Sequence, residues 1–373
     1  MTTTASPVPT PAPRSAHALL CALTFTAVVL AGCWQMVSGA LGSEGLTYSH
    51  QLLDFREGRT TGAIEKQLEQ KMPVRPLLIG LANTLRYTLT RGAGEQVRLG
   101  QHDWLFLTDE LRFDPLGERN LQAHANLLAD AAHTLEKEGV SLLVALVPDK
   151  ARIYPKQLAS GHYPNYQASR YQDMLAALRL RQVAVVDLLT PLQQAAESQT
   201  IYYQSDTHWN QHGADAAARA IALAVKQKGI DLEVTTFKTT TAPAPTDRPG
   251  DLIRLMGVDK APALLRPRSD QEATAVTQQT SEEAPAGLFG NVEVPVALTG
   301  TSYSLRGNFH GYLQQALSSK VLNTAQDGGG FLTAAQAYFK DDAFRSAKPK
   351  VLIWEVPERF LTTPLSSASV AIP

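Results

Sequence analysis

Five short, mostly apolar runs punctuate the chain: VSLLVALVP (140–148), VAVVDLL (183–189), VPVALTG (294–300), KVLNTA (320–325) and KVLIWEV (350–356). Their length and β-branching are those of strands buried on both faces, since a strand with one wet face alternates apolar with polar residues. Between them the pattern lengthens to a helical period over roughly Asn120–Glu138, Ala168–Leu180, Gly213–Gln227 and Gly330–Phe339. Strands alternating with helices predict an α/β body with a mainly parallel central sheet covered on both faces. Residues 232–286 break the rhythm with Thr-, Pro-, Gln- and Glu-rich stretches such as TTTAPAPTDRPG, and read as an irregular, partly mobile excursion over the body. The chain has no internal repeat.

The longest apolar stretch lies at the N-terminus. ALLCALTFTAVVLAGCWQMVSGALG, residues 18–42, carries no charge and is long enough to cross a bilayer as a helix. It follows Arg14 and precedes Glu44, so the positive-inside rule puts residues 1–17 in the cytoplasm and the body outside it, in the periplasm of a bacterium. Two rival readings export the body equally: Leu30-Ala31-Gly32-Cys33 matches a lipoprotein cleavage box, and Ser38-Gly39-Ala40 suits a signal peptidase. The apolar run continues past Cys33 and the basic n-region is thin, which favours an uncleaved, single-pass inner-membrane anchor. Residues 43–100, including AIEKQLEQKMPVRPLLIGLANTLRY, read as a helical neck, and 101–373 as the body.

Composition narrows the chemistry. A chain of 373 residues with 44% hydrophobic content can build a substantial core, and a formal net charge of −1 without a basic run argues against a nucleic-acid partner. Both cysteines, Cys21 and Cys33, lie in the apolar segment, so the body has no thiol for a disulfide, a metal or nucleophilic attack. A nucleophile there must be an oxygen or an amine.

The stretch SDTHWNQHGADAAARAIALAV, Ser205–Val225, admits three readings. His208 and His212 have the i, i+4 spacing with which a helix presents two imidazoles to one metal, and Asp206 could add a third ligand, although the glutamate of HExxH is missing. Alternatively Asp206 caps the helix while His208 is simply buried. The third reading makes Asp206 and His208 an orienter and a general base, which requires a nucleophile elsewhere. VPVALTGTSYSLRGNFHGYLQQAL supplies a candidate: the strand ends at Gly300, and Ser302 would sit at a turn into a helix, where a hydroxyl is exposed beside backbone N–H groups. GTSYS lacks the final glycine of GxSxG, and serine also caps helices in many proteins.

At this point the chain resembles the alginate O-acetyltransferase family, comprising AlgJ and the SGNH-hydrolase-like domain of AlgX. The resemblance covers nearly everything from about residue 44 and rests on LGQHDWLFLTDEL (99–111), VPDKARIYP (147–155), DTHWNQHGA (206–214), GDLIRLMG (250–257), GTSYS (300–304), DGGGF (327–331) and LIWEVPERFL (352–361). The apolar N-terminus, and the lack of a separate carbohydrate-binding module, look more like the membrane-anchored AlgJ branch. The resemblance implies an SGNH-hydrolase-like three-layer fold with a circularly permuted motif order. It also implies a triad of Ser302 as nucleophile, His208 as general base and Asp206 as orienter. Ser302 N–H and a glycine of 328–330, taken as Gly329, would form part of the oxyanion hole. No asparagine stands at the third position, where Arg359 could donate or instead pair with Glu355 or Glu358. Tyr303 and Lys150 are candidate substrate contacts, with Arg152 beside Lys150; a packed tyrosine and a solvated turn are the alternatives. Trp104 and Trp209 read as core or pocket wall.

The implied activity is O-acetylation of an exported polysaccharide through an acetyl-serine. No cofactor or metal is expected, and the acetyl donor would be a membrane-bound acyltransferase of the MBOAT class. An acetylesterase using the same triad and a non-catalytic scaffold of an export complex are the alternatives.

Overall fold

The computed structural model describes residues 16–40, 52–71, 75–280, 294–330 and 332–365. The first residues of the expected neck and the last of the expected excursion, 281–286, lie outside them. The chain divides into two compact units, Met1–Ala82 and Asn83–Pro373. The N-terminal part is helical: α1 (Ala16–Ala40), α2 (Leu52–Arg56), α3 (Arg59–Lys71) and α4 (Arg75–Thr90), the last running on into the second unit. Although α1 is 25 residues long, no helix among the described residues is long and apolar enough to cross a membrane. The structure therefore does not show the anchor expected at 18–42.

After α4 comes an antiparallel pair, β1 (Val97–Leu99) and β2 (Leu105–Leu107), so the expected neck ends in a strand. The alternating elements follow: α5 (Gly117–Lys137), β3 (Ser141–Val147), α6 (Lys150–Ile153), α7 (Arg170–Leu180), β4 (Val185–Asp187), α8 (Leu189–Ala196) and α9 (Gln211–Gln227). The expected excursion contains β5 (Phe237–Thr241), β6 (Thr246–Arg248), α10 (Asp251–Leu255), β7 (Asp270–Glu272) and β8 (Ala275–Gln279). Its strands pair antiparallel, β5 with β8 and β6 with β7, so it is built structure rather than irregular chain. Last come β9 (Val296–Thr299), α11 (Phe309–Leu317), β10 (Val321–Asn323), α12 (Thr333–Lys340), α13 (Asp342–Ser346) and β11 (Val351–Pro357).

The five apolar runs form one five-stranded sheet in the order β10-β9-β11-β3-β4, with every pair parallel. Side-chain alternation explains why these runs are largely apolar, with Asp187, Asn323 and Glu355 among the exceptions. Leu142, Val144 and Leu146 of β3 join one core with Leu128, Tyr171, Phe339 and Trp354. Leu143, Ala145 and Val147 join a second core with Ala217, Ile221, Phe309 and Ile353. Helices α5, α7, α12 and α13 thus cover one face and α8, α9 and α11 the other, giving an SGNH-like three-layer α/β body. In a parallel sheet all carboxyl ends lie on one edge, where α/β folds hold their ligands. Here that edge carries Ser302 after β9, Glu358 and Arg359 after β11, and Asp149 and Lys150 after β3.

Candidate active site

β9 leads into Gly300, where a side chain has no room: a Cβ would lie 2.6 Å from Glu355 Oε2 and 2.8 Å from Glu355 Cβ. A 3₁₀ turn, Ser302–Leu305, follows, and Thr301 Oγ1 accepts from the Tyr303 N–H at 3.3 Å to start it. Glu355 of the adjacent β11 lies beneath the turn. Its carboxylate accepts from Thr301 N–H at 2.7 Å, Thr301 Oγ1 at 3.0 Å and Ser304 Oγ at 3.0 Å. Burial raises this carboxyl above its ordinary pKa in spite of those bonds. Among the described residues nothing accepts from the Ser302 N–H, which leaves it a candidate oxyanion donor.

His208 arrives on a loop. Helix α9 begins at Gln211, and its N-cap is Asn210, whose side chain accepts from His212 N–H at 3.0 Å and Gly213 N–H at 3.1 Å. His208 is buried ahead of the helix while His212 is exposed on its first turn, so the two imidazoles do not share a helix face. Asp206 does not cap the helix either.

Instead the loop meets the turn after β9. His208 Nε2 lies 2.7 Å from Ser302 Oγ, and Nδ1 lies 2.6 Å from Asp206 Oδ1. An ionised carboxylate only accepts, so the ring proton belongs on Nδ1 and the lone pair on Nε2 faces the serine. Burial alone would raise the Asp206 carboxyl, but its bonds to His208 and the charges of His208 and Arg248 outweigh that and hold it well below the carboxylate range. Its other oxygen accepts from Arg248 Nη1 at 3.2 Å and Asp251 N–H at 3.1 Å. The three residues are only 3% (Asp206), 5% (His208) and 7% (Ser302) exposed, so their side chains are largely shielded from bulk water.

The loop 204–208 is pinned from several sides. Asp270 accepts from the N–H groups of Gln204 (2.7 Å) and Ser205 (3.0 Å) and from Ser205 Oγ (2.5 Å). Asp251 accepts from Thr207 N–H at 2.8 Å and Thr207 Oγ1 at 2.5 Å, and its Oδ2 stands 3.5 Å from His208 Nδ1. Gly250 lets the chain pass so close that a Cβ there would fall 2.0 Å from Ser205 O. Arg248, Asp251 and Asp270 all come from the excursion at 232–286. Sequence reasoning assigned none of them a role, and the only signal was GDLIRLMG.

Lys150 and Tyr303, expected to meet substrate, are fully buried. Lys150 Nζ donates to the carbonyls of Gln204 and Asp206, each at 2.9 Å, and lies near the Trp104 and Phe106 rings; burial pulls its pKa down to about 8. Tyr303 donates its hydroxyl to Thr207 O at 2.8 Å, and its ring packs edge-on against His208 and Trp209. Both residues support the loop from behind. Arg152 likewise binds Glu358 rather than facing solvent.

Arg359 pairs with neither Glu355 nor Glu358. Glu358 is taken by Arg152 and Arg170, and the Arg359 guanidinium packs over Tyr303 and Phe360 at 5.2 and 4.9 Å. It is 9% exposed, and Nη1 has no acceptor among the described residues. Gly329 lies in a turn after β10 between Gly328 and Gly330, whose φ values are +68° and +64°; among the described residues no hydrogen bond joins it to Ser302. Trp209 is core, with its indole N–H donating to Tyr303 O at 3.1 Å. Asp206, His208 and Asp251 bring three potential ligand atoms within 4.8 Å of one another. Both imidazole nitrogens are already engaged, one by a carboxylate and one by a hydroxyl.

Residues 97–358 match the family described as the SGNH hydrolase-like domain of acetyltransferase AlgX. Over 348 residues the chain is 33% identical to the probable alginate O-acetylase AlgJ of Azotobacter vinelandii, spanning 92% of this chain and 88% of the other. The Pseudomonas aeruginosa protein of the same description is 33% identical over 319 residues, 82% of this chain and 80% of its own. The solved O-acetyltransferase domain of Pseudomonas putida AlgJ is 34% identical with a TM-score of 0.66, and the match covers 73% of this chain and 94% of that one. Pseudomonas aeruginosa AlgX is similar over a smaller share of its own length, 62%, at 26% identity and a TM-score of 0.53.

Proposed function

This chain belongs to the family of the AlgX SGNH hydrolase-like domain, together with the probable alginate O-acetylases AlgJ, and we propose that it transfers acetyl groups to hydroxyls of an exported polysaccharide through an acetyl-serine. The observation that carries this reading is the continuous relay from Ser302 Oγ to His208 Nε2 at 2.7 Å and from His208 Nδ1 to Asp206 at 2.6 Å.

His208 takes the Ser302 proton as Oγ attacks the acetyl carbonyl carbon, and Asp206 stabilises the imidazolium while fixing its tautomer. The C–O bond to the donor breaks, and the departing oxygen takes the proton from His208. In the second half a sugar hydroxyl gives its proton to His208 and attacks the acetyl-serine, after which Ser302 recovers the proton. Ser302 N–H supports the oxyanion, with Gly329 N–H and Arg359 as further candidate donors. Burial of the triad favours transfer over hydrolysis, because the acyl group meets little bulk water.

We further propose that residues 18–42 anchor the protein in the bacterial inner membrane with the body in the periplasm. An MBOAT-class acyltransferase would deliver the acetyl group, because the periplasm has no acetyl-CoA.

Incubation with an activated acetyl ester should add one acetyl mass to the peptide holding GTSYS, and Ser302→Ala should abolish the adduct. Thr301 and Ser304, whose hydroxyls are bound to Glu355, should carry none. Adding an acceptor glycan should discharge the adduct faster. An adduct that only water removes would make the protein an esterase, and full activity in Ser302→Ala would end the covalent mechanism.

A further inference from the structure

Two carboxylates, not one, face the Nδ1 edge of His208. Asp206 Oδ1 stands 2.6 Å from that nitrogen, and Oδ2 of Asp251, the first residue of α10, stands 3.5 Å from it. Between Asp251 and the ring lies the Thr207 hydroxyl, which donates to Asp251 Oδ2 at 2.5 Å and sits 3.2 Å from Nδ1. A hydroxyl whose proton is already given to a carboxylate has only lone pairs left to offer. The Nδ1 proton therefore meets acceptors alone, with Asp206 at short range and Thr207 and Asp251 behind it.

The charge of Asp206 is shared. Its Oδ2 accepts from Arg248 Nη1 at 3.2 Å, and its main-chain carbonyl accepts from Lys150 Nζ at 2.9 Å. Arg248 reaches its other acid, Glu272, only at 3.8 Å. Beyond the Tyr303 ring, which packs edge-on against His208, stands the Arg359 guanidinium, and Glu355 lies beneath the Ser302 turn. The cations nearby oppose a positive imidazole, and Asp206 answers them only in part. The charge of Asp251 is spent on no cation: among the described residues no lysine or arginine forms an ion pair with it, and its carboxylate accepts only from Thr207. Its backbone N–H meanwhile donates to Asp206 Oδ2 at 3.1 Å, so one residue holds both the acid and the neighbour of the base.

We propose that Asp251 is a positioning residue for the transfer, a second carboxylate that acts through Thr207 to keep the proton on Nδ1 and supplies the negative charge that Asp206 shares with Arg248 and Lys150. This rests on the acetyl-serine reading, in which His208 becomes an imidazolium each time it takes a proton from Ser302 or from the sugar.

Full-length protein carrying carbon-13 at histidine Cε1 would be titrated by NMR, the His208 signal being the one of nine that His208→Ala removes. Asp251→Asn keeps an oxygen for the Thr207 N–H and deletes the charge, and it should lower the His208 titration midpoint by roughly one pH unit. Acetyl-adduct formation on Ser302, measured above that midpoint, should slow roughly tenfold, since one unit is a factor of ten. Asp270→Asn is the structural control. It disturbs three bonds to the same loop, but among the described residues Asp270 has no ion pair with His208, so stability in urea should fall while the midpoint moves far less. Arg248→Gln removes a cation and should raise the midpoint. A folded Asp251→Asn with the wild-type midpoint refutes the assignment, as does an equal fall in Asp270→Asn. If Asp251→Asn does not fold, a midpoint that Arg248→Gln fails to raise refutes it instead. Midpoints that move as stated in a protein forming no adduct on Ser302 would keep the role of Asp251 toward His208 and sink the acetyl-serine reading.

Discussion

Glu355→Ala tests whether the turn that presents Ser302 is held from below. Glu355 is 1% exposed and is the acceptor for one backbone N–H and two hydroxyls, at 2.7, 3.0 and 3.0 Å. Truncation strands the Thr301 N–H, and an unsatisfied buried donor costs about 1–3 kcal/mol. The two hydroxyls can rotate toward other partners and would lose about 0.5–1 kcal/mol each. Relief from burying a carboxylate, whose pKa is raised by desolvation, returns part of this. The net expectation is about 3 kcal/mol, a large part of the roughly 5–15 kcal/mol that keeps a domain folded. Glu355→Gln keeps an amide oxygen for the N–H and should cost about 1 kcal/mol. Urea denaturation measures stability, and the rate of acetyl-adduct formation on Ser302 reports the turn's geometry. Alanine should be worst on both and glutamine intermediate. Alanine within about 0.5 kcal/mol of wild type, acylating at the wild-type rate, would refute the argument, since that is the scatter of surface changes without a role.

Asp206→Asn should cost up to ~10⁴-fold in turnover by disfavouring the needed tautomer, with Ser302 still in place. Because the folded Asp206 pKa is depressed, the stability it contributes is present above the ordinary carboxylate pKa and is lost as pH falls through the folded value. Urea midpoints below about pH 4 should therefore fall less steeply in Asp206→Asn than in wild type. His212→Ala should remain near wild-type activity while His208→Ala slows acylation sharply, and chelator should change neither; zinc-restored activity after chelation would revive a metal role. Lys150→Met should lower stability by about 2 kcal/mol, because the Gln204 and Asp206 carbonyls lose a buried charged donor. With the folded Lys150 pKa near 8 and the unfolded one higher, wild-type stability should rise with pH between them, a rise that methionine removes.

What the sequence determined by itself was whatever local pattern enforces. Strand-length runs that are mostly apolar and β-branched mark a covered parallel sheet, so all five strands were legible even where Asp187, Asn323 and Glu355 interrupt them, as was the turn that presents Ser302. His208 and Asp206, two residues apart, were legible as an acid–base pair but not separable from a metal site or a cap. Only the tertiary structure put His208 in a loop ahead of α9, because Asn210 captures the cap. Only it turned Lys150 and Tyr303 inward, since one cationic head and one phenol were needed to satisfy buried carbonyls. The excursion was the least legible part. Its strands are three to five residues long and half wet, too short for a period to show. Yet it delivers Asp270 to Ser205 across 65 positions and Asp251 to Thr207 across 44. A hydrogen bond between distant residues leaves no mark in local periodicity; it exists because the fold brings a carboxylate to backbone groups that burial would otherwise leave unpaired.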